Sequence, residues 1–170
     1  MTCTGKRSVP TIVISLALIS GLAAGAGAAT VSVSSSTPYA SDAAVPAKVK
    51  DECAFETRLP QAIAENGDVA LVEGKVSRTK GRSLELAIHG IHAPGGGVFS
   101  GPKWATVRGK LRTGGKVIGS FRAKRYSTGG AFGGFTGTCG ILNRIANAMG
   151  QDIAAFIESP SMGAKLGDAK

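Results

Sequence analysis

Apolar and polar positions change their period in a readable order along this chain. Residues 59–67 (LPQAIAENG) predict a short helix, with Pro60 suited to a first turn and Asn66-Gly67 to a stop. Residues 69–77 follow as a strand, and 78–82 turn the chain. Residues 83–91 alternate strictly, with Leu84, Leu86 and Ile88 on one side. After a Gly- and Pro-rich loop at 92–102, residues 104–112 and 116–126 form a hairpin around Thr113-Gly114-Gly115. The longest periodic segment comes last. In 141–158, Ile141, Leu142, Ile145, Met149, Ile153, Phe156 and Ile157 share one helical stripe, stopped before Pro160.

The order helix, four strands, helix predicts an α+β fold. The expected form is a two-layer sandwich, a four-stranded and mostly antiparallel sheet with both helices on one face. Two cysteines constrain it. Cys53 precedes the first helix and Cys139 begins the last. A plain meander runs the two helices antiparallel, so a Cys53–Cys139 bond requires residues 54–58 to run back along the sheet. Alternatively the 92–102 loop crosses over, the helices become parallel and their starts meet. The sequence leaves both open.

Outside the periodic core, residues 1–29 read as a cleaved secretory signal peptide. Lys6 and Arg7 form a basic start, residues 11–22 an apolar run, and 23–29 supply the small residues a signal peptidase needs, with the cut after Ala26, Ala28 or Ala29. No cysteine directly follows the apolar run, so a lipid anchor is not expected, and no later stretch is apolar enough to span a membrane. Residues 30–50, rich in Ser, Thr, Ala and Pro, read as a flexible leader, 51–160 as one α+β domain, and 161–170 as a flexible tail. Cleavage removes Cys3. The even pair that remains favours a disulfide between Cys53 and Cys139 over two buried thiols, and a periplasmic or secreted location.

Charge narrows the picture further. The chain of 170 residues carries 20 Lys and Arg against 11 Asp and Glu, a net charge of +9. Loss of Lys6 and Arg7 lowers it to +7. No acid lies between Glu85 and Asp152, where nine basic residues occur. Alternation places Trp104, Thr106, Arg108, Lys110 and Arg112 on one side of the first hairpin strand. It places Ile118, Ser120, Arg122, Lys124 and Tyr126 on the matching side of the second, opposite Val117, Phe121 and Ala123. With helices on the apolar side, the open side is a basic sheet flanked by Trp104 and Tyr126. Arg108, Lys110, Arg112, Arg122, Lys124, Trp104 and Tyr126 are therefore the candidate site for an anionic polymer or lipid head group. The competing account is a solvated face that charge protects from edge pairing. Nucleic acid is not expected, because single-strand binding sheets place their aromatics centrally.

Other constellations are weaker. His89 and His92 form H-x-x-H across a strand end without further ligands nearby in sequence, so no metal is expected. Asp152 pairs with Arg144 or another local base rather than serving as a general acid. Ser100 lacks the G-x-S-x-G context of a nucleophile elbow. The glycine-rich stretch 129–138 lacks the Gly-Lys-Ser/Thr of a phosphate loop and reads as a connector whose Phe132 and Phe135 plug the sheet–helix seam. Thr138 is placed to cap the final helix. No catalytic residue, cofactor or metal is assigned.

The segment 108–118 (RGKLRTGGKVI), then Ser127-Thr128-Gly129-Gly130, then 146–156 resembles uncharacterised bacterial envelope domains, in which a hairpin and a Gly-rich loop lead into a closing helix. The layout is loosely similar to the TolB amino-terminal and curli-secretion-lipoprotein type of periplasmic module. The resemblance covers about 50 residues of turn chemistry. It implies a non-enzymatic envelope role and transfers no site residue. The expected function is an exported, non-enzymatic protein that binds or scaffolds an envelope partner. The alternatives are a binder of anionic polymer or lipid head groups and a secreted hydrolase inhibitor. Oligomeric state is open.

Overall fold

The computed structural model describes residues 1–2, 30–76, 81–94, 101–127 and 137–170. The signal-peptide segment, most of the 92–102 loop, and residues 128–136 of the glycine-rich stretch lie outside them. The elements run β1 (Val31–Ser34), β2 (Tyr39–Ala44), α1 (Ala47–Cys53), α2 (Phe55–Ala64), β3 (Val69–Val72), β4 (Arg82–His92), β5 (Lys103–Thr113), β6 (Lys116–Ser127), α3 (Thr138–Glu158) and β7 (Ala164–Gly167).

The expected four-stranded, mostly antiparallel sheet with two helices is not what forms. The sheet has seven strands, in the order β3-β1-β4-β5-β6-β7, with β2 beside the far half of β4. It is mixed: β4, β5 and β6 are antiparallel, whereas β1 is parallel to β3 and β4, β2 to β4, and β7 to β6. The added strands come from the segments read as leader and tail. Val31 and Val33 are fully buried between β3 and β4, and four residues of 161–170 complete the opposite edge. A third helix, α1, also falls largely in the leader. These elements are too short for periodicity to reveal, and pairing with a longer strand is what makes them regular.

Insertion of β1 explains how the cysteines meet. Because β1 separates β3 from β4 and is parallel to both, β3 and β4 are themselves parallel. The connection that crosses is therefore the one between β3 and β4, and not the 92–102 loop, whose strands β4 and β5 are antiparallel neighbours. One change of parity in the sheet leaves α2 and α3 parallel. Contacts advance together along both helices: Arg58 Nη2 donates to Asn147 Oδ1 at 2.5 Å, Gly150 lies against Ala62, and Gly67 against Ala154. The Cys53–Cys139 disulfide joins the end of α1 to the first turn of α3, with Cα atoms 4.8 Å apart.

Local chemistry sets the boundaries. α2 begins at Phe55, earlier than the proline suggested, so Pro60 is interior and the carbonyl of Glu56 loses its helical donor. The backbone N–H of Thr37 takes that place at 2.8 Å, stitching the β1–β2 loop to the helix. Ala54, with φ of 46°, is the left-handed joint between α1 and α2. The β5–β6 hairpin turns on Gly114 and Gly115, whose φ values of 54° and 87° are those of a two-residue type I′ turn. Thr138 is the first residue of α3 and makes no side-chain cap. Arg82 closes the far end of that helix, donating to the carbonyl of Ile157 at 3.0 Å.

The core is one layer between sheet and helices. Phe55, Leu59 and Ile63 of α2 and Leu142, Ile145, Met149, Ile153 and Ile157 of α3 meet Leu84, Ile88, Ile91, Leu111 and Phe121 of the sheet. Among the described residues no helix is long and apolar enough to cross a membrane.

Candidate anion-binding face

The helices leave the other side of the sheet open, and register decides what stands on it. Across β5 and β6, Trp104 faces Tyr126, Thr106 faces Lys124, Arg108 faces Arg122, and Lys110 faces Ser120. Their alternate neighbours Ala105, Val107, Leu111, Phe121 and Ala123 are buried against the helices. All seven candidate residues therefore share one face.

Two irregularities alter the face that strict alternation predicts. In β4 a bulge between Ile88 and Gly90 shifts the register, so Ile91 turns into the core and His92 comes out opposite Trp104. Their rings stack at 5.6 Å. In β6 a shift opposite Leu111 and Arg112 sets Val117 against Arg112 and turns Ile118 toward the core. The expected placement of Ile118 on the basic side and Val117 on the apolar side is thus reversed.

The cations are not equivalent. Arg112 is held: its Nε lies 3.3 Å from Glu85 Oε2, and its Nη1 donates to the carbonyl of Gly115 at 3.0 Å. Lys124 is clasped between aromatic rings, its Nζ 4.6 Å from the Trp104 centroid and 4.7 Å from that of Tyr126. Arg108, Lys110 and Arg122 are exposed and make no ion pair among the described residues. Arg108 and Arg122 stand directly opposite each other, an arrangement that repels.

Arg125 belongs to the other side. It makes a two-pronged pair with Asp152 of α3 at 2.5 and 2.6 Å, which raises the pKa of its guanidinium. Asp152 therefore pairs across elements, with a base of β6.

A broad groove of about 1300 Å³ runs across the strands on the open face. The β1–β2 loop at 34–38 and residues 73–76 bound one end, Arg108, Lys110, Ser120 and Arg122 line its middle, and Gly163 bounds the other end. A smaller pocket of about 220 Å³ adjoins it, lined by Asp42, His89, Trp104, Thr106, Arg108 and Arg122 among others. His89 Nδ1 is 3.7 Å from Asp42 Oδ1. Because His89 turns to Asp42 and His92 to Trp104, the two histidines do not converge, and no metal-holding cluster occurs among the described residues. Asp42 and Thr106 escaped the sequence reading as site residues. Thr106 was visible as the alternate neighbour of Trp104 and Arg108, whereas Asp42 carried no local signal.

No protein-family model matches the chain, and no curated protein matches its sequence. Solved structures do match, among them two of PelC. The PelC dodecamer from Paraburkholderia phytofirmans aligns at 15% identity and a TM-score of 0.45, over 72% of this chain and 86% of the PelC chain. A single-substitution variant of that dodecamer aligns at 15% identity and 0.43, over 74% and 86%. Both are PelC chains rather than modules of the TolB amino-terminal or curli-secretion type.

Proposed function

We propose that this is an exported, non-enzymatic binding protein whose open sheet face takes an anionic polymer or anionic lipid head groups of the cell envelope. The observation that carries the reading is the opposition of Arg108 and Arg122, exposed, unpaired by any acid among the described residues, and bordered by Lys110 and Lys124. Two guanidinium groups facing each other across a ladder cost stability, and a bound oxyanion between them reverses the sign of that interaction. The groove gives an extended ligand a path across the strands. Export is supported by the disulfide, which persists in oxidising compartments, and by the basic, apolar and small-residue succession of residues 1–29.

Salt-dependent retention on heparin and on vesicles containing anionic lipid tests this. The wild type is retained at low salt and elutes earlier as salt rises, and the double variant Arg108→Glu/Arg122→Glu elutes well before it. Equal elution of the two proteins rejects the reading.

A further inference from the structure

We infer that the small pocket beside Trp104 is a subsite for a phosphoryl group, the part of the anionic ligand that this protein recognises specifically. The inference rests on reading the open face as an anion-binding surface and adds the chemistry of what is held there.

The pocket is built rather than merely exposed. Thr106 lies on its floor with only 6% of its surface accessible, and its hydroxyl has no hydrogen-bond partner among the described residues. That hydroxyl is not among the polar atoms sealed from solvent, so a ligand oxygen at this position takes the place of water as its partner. Arg108 and Arg122 enter from two neighbouring strands, and each presents a planar fork of N–H donors. The imidazole of His89 borders the pocket from a third strand.

The number of these donors discriminates between anions. A carboxylate has two oxygens in one plane, with about four lone-pair sites, and one guanidinium fork already meets both oxygens. Two forks, a hydroxyl and an imidazole around one volume suit a tetrahedral group with three terminal oxygens, and a phosphoryl group, with up to two negative charges, matches two guanidinium cations best. Asp42 is the acid on the lining, across from the arginines and beside His89. Its charge opposes an incoming anion, so it weakens the subsite and its removal strengthens it. The pocket shares Arg108, Arg122 and His89 with the broad groove, which leaves room for whatever carries the phosphoryl group, whether a lipid or a soluble phosphoester.

Trp104 is the single tryptophan of the chain and lines this pocket, so its fluorescence reports on this site alone. The disulfide-bonded protein is titrated with inorganic phosphate, sn-glycerol 3-phosphate and glucuronate at constant ionic strength. A saturable change with the two phosphates and not with glucuronate is expected. Thr106→Val weakens glycerol phosphate binding by about tenfold while Thr106→Ser retains it, since a hydrogen bond to a charged group is lost in one and kept in the other. Arg108→Gln/Arg122→Gln abolishes the change, and Asp42→Asn tightens binding. Near-ultraviolet circular dichroism shows that each variant is folded. Phosphatidylglycerol vesicles that bind and are released by glycerol phosphate identify a lipid source, and glycerol phosphate binding without vesicle retention identifies a soluble one.

A response to glucuronate alone, or Thr106→Val behaving as wild type, overturns the phosphoryl assignment. If heparin retention still depends on Arg108 and Arg122 in that case, the general reading survives without the subsite. If heparin retention is absent as well, both fall.

Discussion

Gly150 of α3 lies directly against the backbone of Ala62 in α2, so that a methyl group placed on it would stand 2.7 Å from both the carbonyl carbon and the carbonyl oxygen of Ala62. That contact lets two parallel helices close over the sheet, and it opposes backbone, which cannot rotate away. Gly150→Ala gains up to about 1 kcal/mol of helix propensity, but forcing extra volume into the crossing costs about 1–3 kcal/mol. We expect a lower urea midpoint for Gly150→Ala and a still lower one for Gly150→Val. A raised midpoint for the alanine variant would mean that α2 shifts without cost.

The Cys53–Cys139 bond spans 86 residues and encloses the β3–β6 segment of the sheet. For a loop of this size the chain-entropy account assigns about 4–5 kcal/mol, and strain or residual structure reduces it. Cys53→Ser/Cys139→Ser should therefore unfold at markedly lower urea than the oxidised protein and coincide with the wild type in reductant. Hydrogen exchange should rise first in α1, the short helix that the bond ties to α3. A variant as stable as the oxidised wild type would show that helix packing alone sets the loop.

Tyr39 donates its hydroxyl to Glu56 Oε2 at 2.8 Å in a half-buried site, while Lys50 Nζ lies 4.9 Å from its ring. Burial, reinforced by the Glu56 carboxylate, pushes the phenol well above its ordinary range. The unfolded chain ionises this phenol near its usual value of 10.0 while the folded chain holds the proton. The stabilisation is accordingly complete below pH 10 and is lost as pH rises beyond it. In Tyr126→Phe, which leaves Tyr39 as the only tyrosine, phenolate absorbance at 295 nm should emerge only with base unfolding. A reversible titration centred near pH 10 in the folded protein would refute this.

Arg125 and Asp152 clamp β6 to α3 through two hydrogen bonds, and both side chains are mostly covered. Removing either partner alone strands a partly buried charge, at a cost of about 1–3 kcal/mol. Arg125→Met and Asp152→Asn should each lower stability, and the double variant should cost less than their sum. Strict additivity in a double-mutant cycle would show that the pair is not coupled.

The arginines of the open face separate stability from binding. Arg122→Gln relieves the repulsion with Arg108, so stability should stay level or rise by up to about 1 kcal/mol, while retention on heparin falls. Arg112→Gln breaks the contacts with Glu85 and Gly115, so stability should fall while retention changes little. A thermal melt and a salt gradient on each variant check both halves. The reverse pattern would place the ligand over Arg112.

The sequence by itself determined the parts that carry long, repeated patterns. Alternation over nine or more residues located β4, β5 and β6 and sorted Arg108, Lys110, Arg122 and Lys124 onto one face, and a seven-member stripe located α3. These patterns survive because each long element meets the core on one side only. Cysteine parity likewise named the Cys53–Cys139 pair. Tertiary structure decided the rest. Val31-Ser32-Val33-Ser34 does alternate, but four residues are too few to distinguish from a serine-rich leader, and only burial between β3 and β4 makes them a strand. That one insertion set the parity of the sheet, made α2 and α3 parallel and brought the cysteines together. The bulges in β4 and β6, which turn His92 outward and Ile118 inward, arise from register between strands, a relation that neither strand carries alone. Asp42 and His89 reach one pocket for the same reason. Their proximity depends on β2 lying beside β4, and nothing local to residue 42 encodes its neighbour.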